Sequence, residues 1–312
     1  MPLTAGLSYS RNKPDQPVKT KRDRVLDQGE DPFKHNAWDN VPRPDNEWEL
    51  VQPHILFHRE HKAPEGKVER INSNPSNYWN EFYKTHESSF FKDRQWLGLE
   101  FPDLMTLVGD KEATRDYRLL EVGCGAGNAL FPLVESNSNP RLHLHGSDYS
   151  EQAVEVVKNN AMYSNPPCGK VSASVWDLSD PSAENLPVEE NSCDYILMIF
   201  VMSALHPDQF STAINNVYKL LKPGGKILFR DYGRYDLAQI RMKKERLLQE
   251  NFYCRGDGTR VYFFELDELN RLFNDHGFTT EKSESDRRLL INRKEEKKMY
   301  RVWQQAIYTK VV

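Results

Sequence analysis

Between residues 118 and 231, short apolar runs alternate with amphipathic stretches. The runs at 118–122, 141–147, 170–176, 193–200 and 225–231 have the length and bounding residues of buried strands, and 150–160 and 208–221 have helical spacing. That alternation predicts an α/β fold, a mostly parallel, doubly wound sheet with helices on both faces. Lys222-Pro223-Gly224-Gly225 reads as a helix stop and turn before the fifth strand. A charged insert over 234–264 precedes a helix at 267–276 and closing strands near 278–285 and 301–309. Upstream, 76–107 reads as mainly helical with Ser76 as a cap, and 90–96 as an amphipathic helix packed over the sheet.

The first strand runs into Glu121-Val122-Gly123-Cys124-Gly125-Ala126-Gly127-Asn128. Glycines let backbone approach a ligand where a Cβ would collide, and the helix behind offers free N–H groups. A dinucleotide fingerprint needs its third glycine where Asn128 stands. The G-x-G-x-G form after an acidic residue resembles the first motif of S-adenosyl-L-methionine (SAM) methyltransferases.

In open α/β sheets ligands bind beyond the carboxyl ends of the strands. Asp148 ends the second predicted strand and suits two ribose hydroxyls. Asp177, with Leu178, ends the third and suits an adenine edge, and Ile199 and Phe200 end the fourth, where they suit the adenine face. Each carboxylate alone fits an N-cap or turn equally well, but the ordered set favours a cofactor site. Arg230-Asp231 ends the fifth strand and faces the same opening. Asn165-Pro166-Pro167-Cys168 mimics a loop of base-modifying enzymes, but it precedes the third strand rather than following the fourth, so it reads as a turn.

Taken together, Tyr78-Trp79-Asn80-Glu81-Phe82-Tyr83-Lys84, Phe90-Phe91-Lys92-Asp93-Arg94, the glycine loop, 199–207, 228–233 and 251–260 closely resemble the methyltransferase-like enzymes that make 3-methylcytidine in the tRNA anticodon loop. The resemblance covers roughly 76–310 and implies a Rossmann-like class I fold with a mostly parallel seven-stranded sheet. It also implies SAM contacts from Trp79, Tyr83, Gly123, Gly125, Asp148, Asp177, Leu178 and Ile199. The box Asp31-Pro32-Phe33-Lys34-His35-Asn36-Ala37-Trp38-Asp39 resembles the longer branch, which acts at position 32 of threonine tRNAs. An accessory protein such as an aminoacyl-tRNA synthetase, used by the shorter branch, stays open as a partner.

The implied chemistry is methyl transfer to cytosine N3, with Asp231, then Asp93, as the carboxylate near the developing charge. Arg94 and Arg230 would hold the base carbonyl or a phosphate. Arg255, Arg260, Arg287, Arg288, Arg293, Lys294, Lys297, Lys298 and Arg301 are expected to form much of a phosphate patch. A SAM enzyme for a protein or small molecule, or a non-catalytic partner subunit, is the competing reading.

A net charge of −4 requires any nucleic-acid surface to be a local patch. Residues 1–24 read as a disordered basic arm, 25–75 as an N-terminal tRNA-binding extension with helical segments, and 76–312 as the methyltransferase domain. Phe33, Trp38 and Trp48 in the extension suit either unpaired bases or anchorage to the main domain. His54, His58 and His61 share a helix face, but no carboxylate or cysteine completes a ligand set, so the face reads as solvated and no metal is assigned. The longest apolar run is too short to span a bilayer, and four scattered cysteines fit a reduced compartment, so a cytoplasmic protein is expected.

Overall fold

The computed structural model describes residues 24–311 except Gln28, 87–89 and Ala183. The expected arm therefore lies outside the described residues, apart from Arg24. Strands β1 (Ala37–Trp38), β2 (Tyr117–Val122), β3 (Leu142–Asp148), β4 (Lys170–Val175), β5 (Cys193–Ile199) and β6 (Leu221–Tyr232) come first. The short β7 (Leu247–Gln249), β8 (Phe252–Cys254) and β9 (Arg260–Tyr262) follow, then β10 (Phe278–Asn292) and β11 (Lys297–Lys310). The main sheet has the order β1-β10-β11-β6-β5-β2-β3-β4. Strands β2 to β6 are parallel, while β10 and β11 run antiparallel at one side. The seven expected strands thus carry a two-residue eighth, β1, on the edge of β10.

Strands β2, β3 and β5 are buried almost throughout because helices cover both faces. One face packs Leu120, Val122, Ile196 and Met198 against the helices Phe210–Leu220 and Leu266–Asn274. The other packs Leu119, Leu144, Leu197 and Leu228 against the helices at Leu97–Glu100, Pro102–Gly109 and Leu130–Ser136. Two sheet faces buried in this way leave the carboxyl ends of the strands as the opening.

Four local readings are corrected. Asn74, not Ser76, caps the helix Pro75–His86, its Oδ1 accepting from Ser76 Oγ and Asn77 N–H. Residues 90–96 are not helical; they form an irregular segment that carries Phe90, Phe91 and Arg94 to the opening. The charged insert contains a separate antiparallel sheet, β7-β8-β9, whose strands are nearly all buried. The closing strands extend through the basic stretch, Arg287 pairing with Val302 and Arg288 with Arg301 across the hairpin.

The segment before the sheet docks on both of these additions. Trp38 is buried with Val41, Leu289 and Ile291, and its indole N–H donates to the Pro32 carbonyl at 2.7 Å. Trp48 is exposed. In the helix Glu47–Glu60, His58 is not solvated but 1% exposed. Its ring nitrogens meet the Met242 carbonyl at 2.9 Å and the Tyr253 hydroxyl at 3.3 Å, and burial lowers its pKa.

Candidate functional site

A cavity of about 430 Å³ opens at the carboxyl ends of the parallel strands. Trp79, Tyr83, Gly123, Gly125, Asp148, Asp177, Leu178, Ile199 and Arg94 all line it, so the structure brings together residues spread over 120 positions of sequence. Trp79 and Tyr83 stack at 6.0 Å from one helix face and roof the glycine loop. Gly123 and Gly125 have φ of 64° and 53°. A Cβ on Gly125 would also collide with the Tyr83 hydroxyl. Gly125→Ala is therefore expected to weaken SAM binding by about tenfold or more, from left-handed strain plus displacement of the roof, read as Kd by calorimetry.

The carboxylates divide into held and available atoms. Asp148 accepts from Gly125 N–H and Ser150 N–H, each at 2.9 Å, so it locks the glycine loop to β3, and burial pushes its pKa up to about 6. Asp177 uses Oδ1 for Ser179 N–H and Oγ, at 2.8 and 2.7 Å, while Oδ2 has no described partner. Glu121, used above only as part of the glycine pattern, proves to line the cavity. It is 4% exposed, and its Oε2 lacks a partner among the described residues. Burial pushes its pKa up to about 8, opposed by Arg94 and reinforced by Asp148. Glycine turns with no room for a Cβ, an available carboxylate and an orphaned buried oxygen fit a ligand with an adenosyl part and an amino group.

Three of the four expected catalytic residues are placed elsewhere. Arg230 is 4% exposed and lies between the Trp96 and Trp303 rings, 4.9 Å from each, with Asp286 at 2.5 Å and Glu100 at 3.6 Å. It is a buried ionic tie, not a cavity residue. Asp231 is fully buried: Oδ2 accepts from Ser203 N–H and Oδ1 from Tyr232 N–H, both at 2.8 Å. It shapes the turn Met202–Ala204 that rims the cavity. Asp93 is exposed and accepts from Asn128 Nδ2 at 3.1 Å, outside the lining.

Arg94 alone of the four reaches the cavity. Its guanidinium lies over Phe91 at 5.6 Å and Phe200 at 5.2 Å, without an ion-pair partner among the described residues, and burial lowers its pKa. Phe200, a bulky residue at φ 59°, contacts Tyr232 at 5.0 Å, and Arg255 lies over Tyr232 at 5.4 Å. Such backbone strain persists only where the surroundings enforce it, and here it sets the ring in the cavity wall.

The expected phosphate patch is largely engaged in structure. Arg260 is buried and donates to the Ala204 carbonyl and Asn72. Arg287 pairs with Glu47 at 2.5 Å, Arg288 with Asp39 at 3.3 Å, and Arg293 donates to the Lys34 carbonyl at 2.5 Å. The last three staple the N-terminal segment to β10 and the turn after it. Only Arg255 and Arg301 of that group line the cavity.

This cavity combines a glycine loop and carboxylates suited to a nucleoside with an aromatic and basic wall. That is the layout of a SAM-dependent methyltransferase, and the sequence profile of the methyltransferase domain family matches residues 90–283. A 1,6-didemethyltoxoflavin-N1-methyltransferase from Burkholderia thailandensis, solved with S-adenosylhomocysteine, shares the fold at TM-score 0.50 and 14% identity, over 80% of this chain and 93% of that one. The tRNA(Thr) (cytosine(32)-N(3))-methyltransferase of Saccharomyces cerevisiae is 47% identical over 91% of this chain, which spans only 45% of that protein. The tRNA N(3)-cytidine methyltransferase METTL2 of Danio rerio is 42% identical over 100% of this chain and 95% of its own length. The chain belongs to the tRNA N3-cytidine methyltransferase family.

Proposed function

We propose that this protein transfers the methyl group of SAM to N3 of cytidine at position 32 in the anticodon loop of threonine tRNA. The observation that carries the reading is the Phe200–Tyr232 wall flanked by Arg94 and Arg255, lining the same cavity as the glycine loop. SAM, when bound, supplies a methyl group on a sulfonium. Neutral cytosine N3 already carries a lone pair, so no residue has to remove a proton from it. Transfer would exchange the methyl–sulfur bond for a bond to N3 and leave the positive charge on the ring instead of on sulfur.

Positioning and exclusion of water are therefore the chain's main contributions. Trp79, Tyr83, Gly123, Gly125, Asp148, Asp177, Leu178 and Ile199 hold the cofactor in this reading, and Glu121 faces its amino group. Arg94 donates to the cytosine O2 carbonyl. The Phe200 and Tyr232 rings face the base, and their π-faces tolerate positive charge before and after transfer. N3 lies on the Watson–Crick edge, so the base must enter unpaired. Asp231 acts by holding the turn at Met202–Ala204. Functionally the chain divides into the arm at 1–24, a tRNA-binding extension at 25–75 and the methyltransferase domain at 76–312, working in the cytoplasm. An accessory protein such as an aminoacyl-tRNA synthetase completes recognition if purified protein alone does not act.

Incubation with SAM and threonine tRNA, followed by nucleoside mass spectrometry, is expected to yield 3-methylcytidine. Asp177→Ala is expected to remove most of that product through SAM affinity. No 3-methylcytidine on either transcript or cellular tRNA, with SAM bound, would end the substrate assignment.

A further inference from the structure

The aromatic wall does not stop at Tyr232. Trp303 is its cross-strand partner on β11, so the two side chains lie side by side on one sheet face, and both line the cavity. Phe200, Tyr232 and Trp303 thus form a row of half-buried rings along the cavity wall. Trp303 is the most heavily braced ring of the three. The guanidinium carbons of Arg301, Arg230 and Arg288 lie 4.7, 4.9 and 5.6 Å from its centroid. Arg230 is backed by Trp96 and tied to Asp286, so that side of the indole is fixed. Arg301 also lines the cavity, and its Nε donates to the buried Asp236 at 2.8 Å.

A half-buried indole held rigid by cations, at one end of an aromatic row, has the chemistry of a stacking platform for a single-stranded nucleotide. Ordinary core packing does not require a tryptophan in a cavity wall with three arginines around it. On the function proposed above, we infer that Trp303, with Arg301 beside it, forms a second nucleotide subsite that stacks the base adjacent to the target cytidine and holds its phosphate.

The test is a binding cycle on whole threonine tRNA, intact or carrying an abasic nucleotide immediately 5′ or 3′ of the target cytidine. The proteins are wild type, Trp303→Phe and Trp303→Leu. One of the two abasic RNAs is expected to bind wild type and Trp303→Phe about tenfold more weakly than intact tRNA, because a stacked base is lost. Trp303→Leu should bind that RNA and intact tRNA within about twofold of each other, because the platform is already gone. Equal abasic penalties in wild type and Trp303→Leu would overturn the subsite. So would an absence of any penalty in wild type, a result that needs no variant to fold. Where Trp303→Leu does not fold, 4-thiouridine at the flanking position of wild-type complexes should photocrosslink to Trp303, and a crosslink mapping only elsewhere overturns the inference. An intact coupling without 3-methylcytidine in the product would remove the reaction and leave the subsite. Methylation without coupling would remove the subsite alone.

Discussion

Arg230→Ala is expected to destabilise the protein by about 3–5 kcal/mol, the cost of removing one partner from a buried ionic cluster. Arg230 is within 2.5 Å of Asp286 and 3.6 Å of Glu100, and it donates to Gln305. The two carboxylates are 3% and 2% exposed, so each would lose a cationic neighbour that water cannot replace. The two indoles that sandwich the guanidinium would lose their filling as well. Urea unfolding checks this directly. Asp286→Asn in the same background should restore part of the loss, because it removes a charge that the arginine had balanced. The SAM affinity of the folded fraction should change little, since Arg230 does not line the cavity. A catalytic arginine would show the reverse pattern, with normal stability and a fall in kcat.

The same residue shows where sequence reasoning reaches its limit. Asp148 and Ile199 end their strands, Asp177 lies two residues past Val175, and the glycine loop follows β2. These were legible because strand period and strand order place such residues at one opening. Arg230 and Asp231 also sit at a strand end, but successive residues point to opposite sheet faces. One turns toward Trp96, Glu100 and Asp286, the other toward Ser203, and both are covered. Those partners lie up to 134 residues away in sequence, beyond the reach of any local pattern. The same holds for Arg287 and Arg288, whose charge resembles a phosphate patch until Glu47 and Asp39 appear opposite them. The β7-β8-β9 sheet escaped because three-residue strands are too short to show alternation. Trp303 had no signal of its own; only the pairing of β6 with β11 brings it beside Tyr232, and Arg255, expected in a phosphate patch, reaches the same cavity through the turn after β8.

SAM affinity is expected to rise with pH between about 6 and 8, by up to about tenfold per unit, and Glu121→Gln is expected to flatten that slope. The Glu121 carboxyl, pushed by burial up to about 8, is mostly protonated in the free protein at neutral pH. A ligand ammonium facing its orphaned Oε2 favours the ionised form, so binding must release a proton below that pH. Calorimetry in two buffers of different ionisation enthalpy reads the release as a number of protons. The stability of the free protein should move the other way. The folded-state pKa of Glu121 lies above its ordinary value of 4.5, so across that window the unfolded chain binds fewer protons than the folded one. Its contribution to stability is therefore complete below about 4.5 and declines as pH rises toward about 8, by at most about 1.4 kcal/mol per unit. The Asp148 and Asp231 carboxyls, each pushed by burial up to about 6, also titrate in this range, so the quantity to compare is wild type minus Glu121→Gln. In that difference, unfolding becomes easier with rising pH while SAM binding becomes tighter. Both slopes follow from one buried proton, and parallel slopes, or a Glu121→Gln variant that keeps the binding slope, would assign that proton elsewhere.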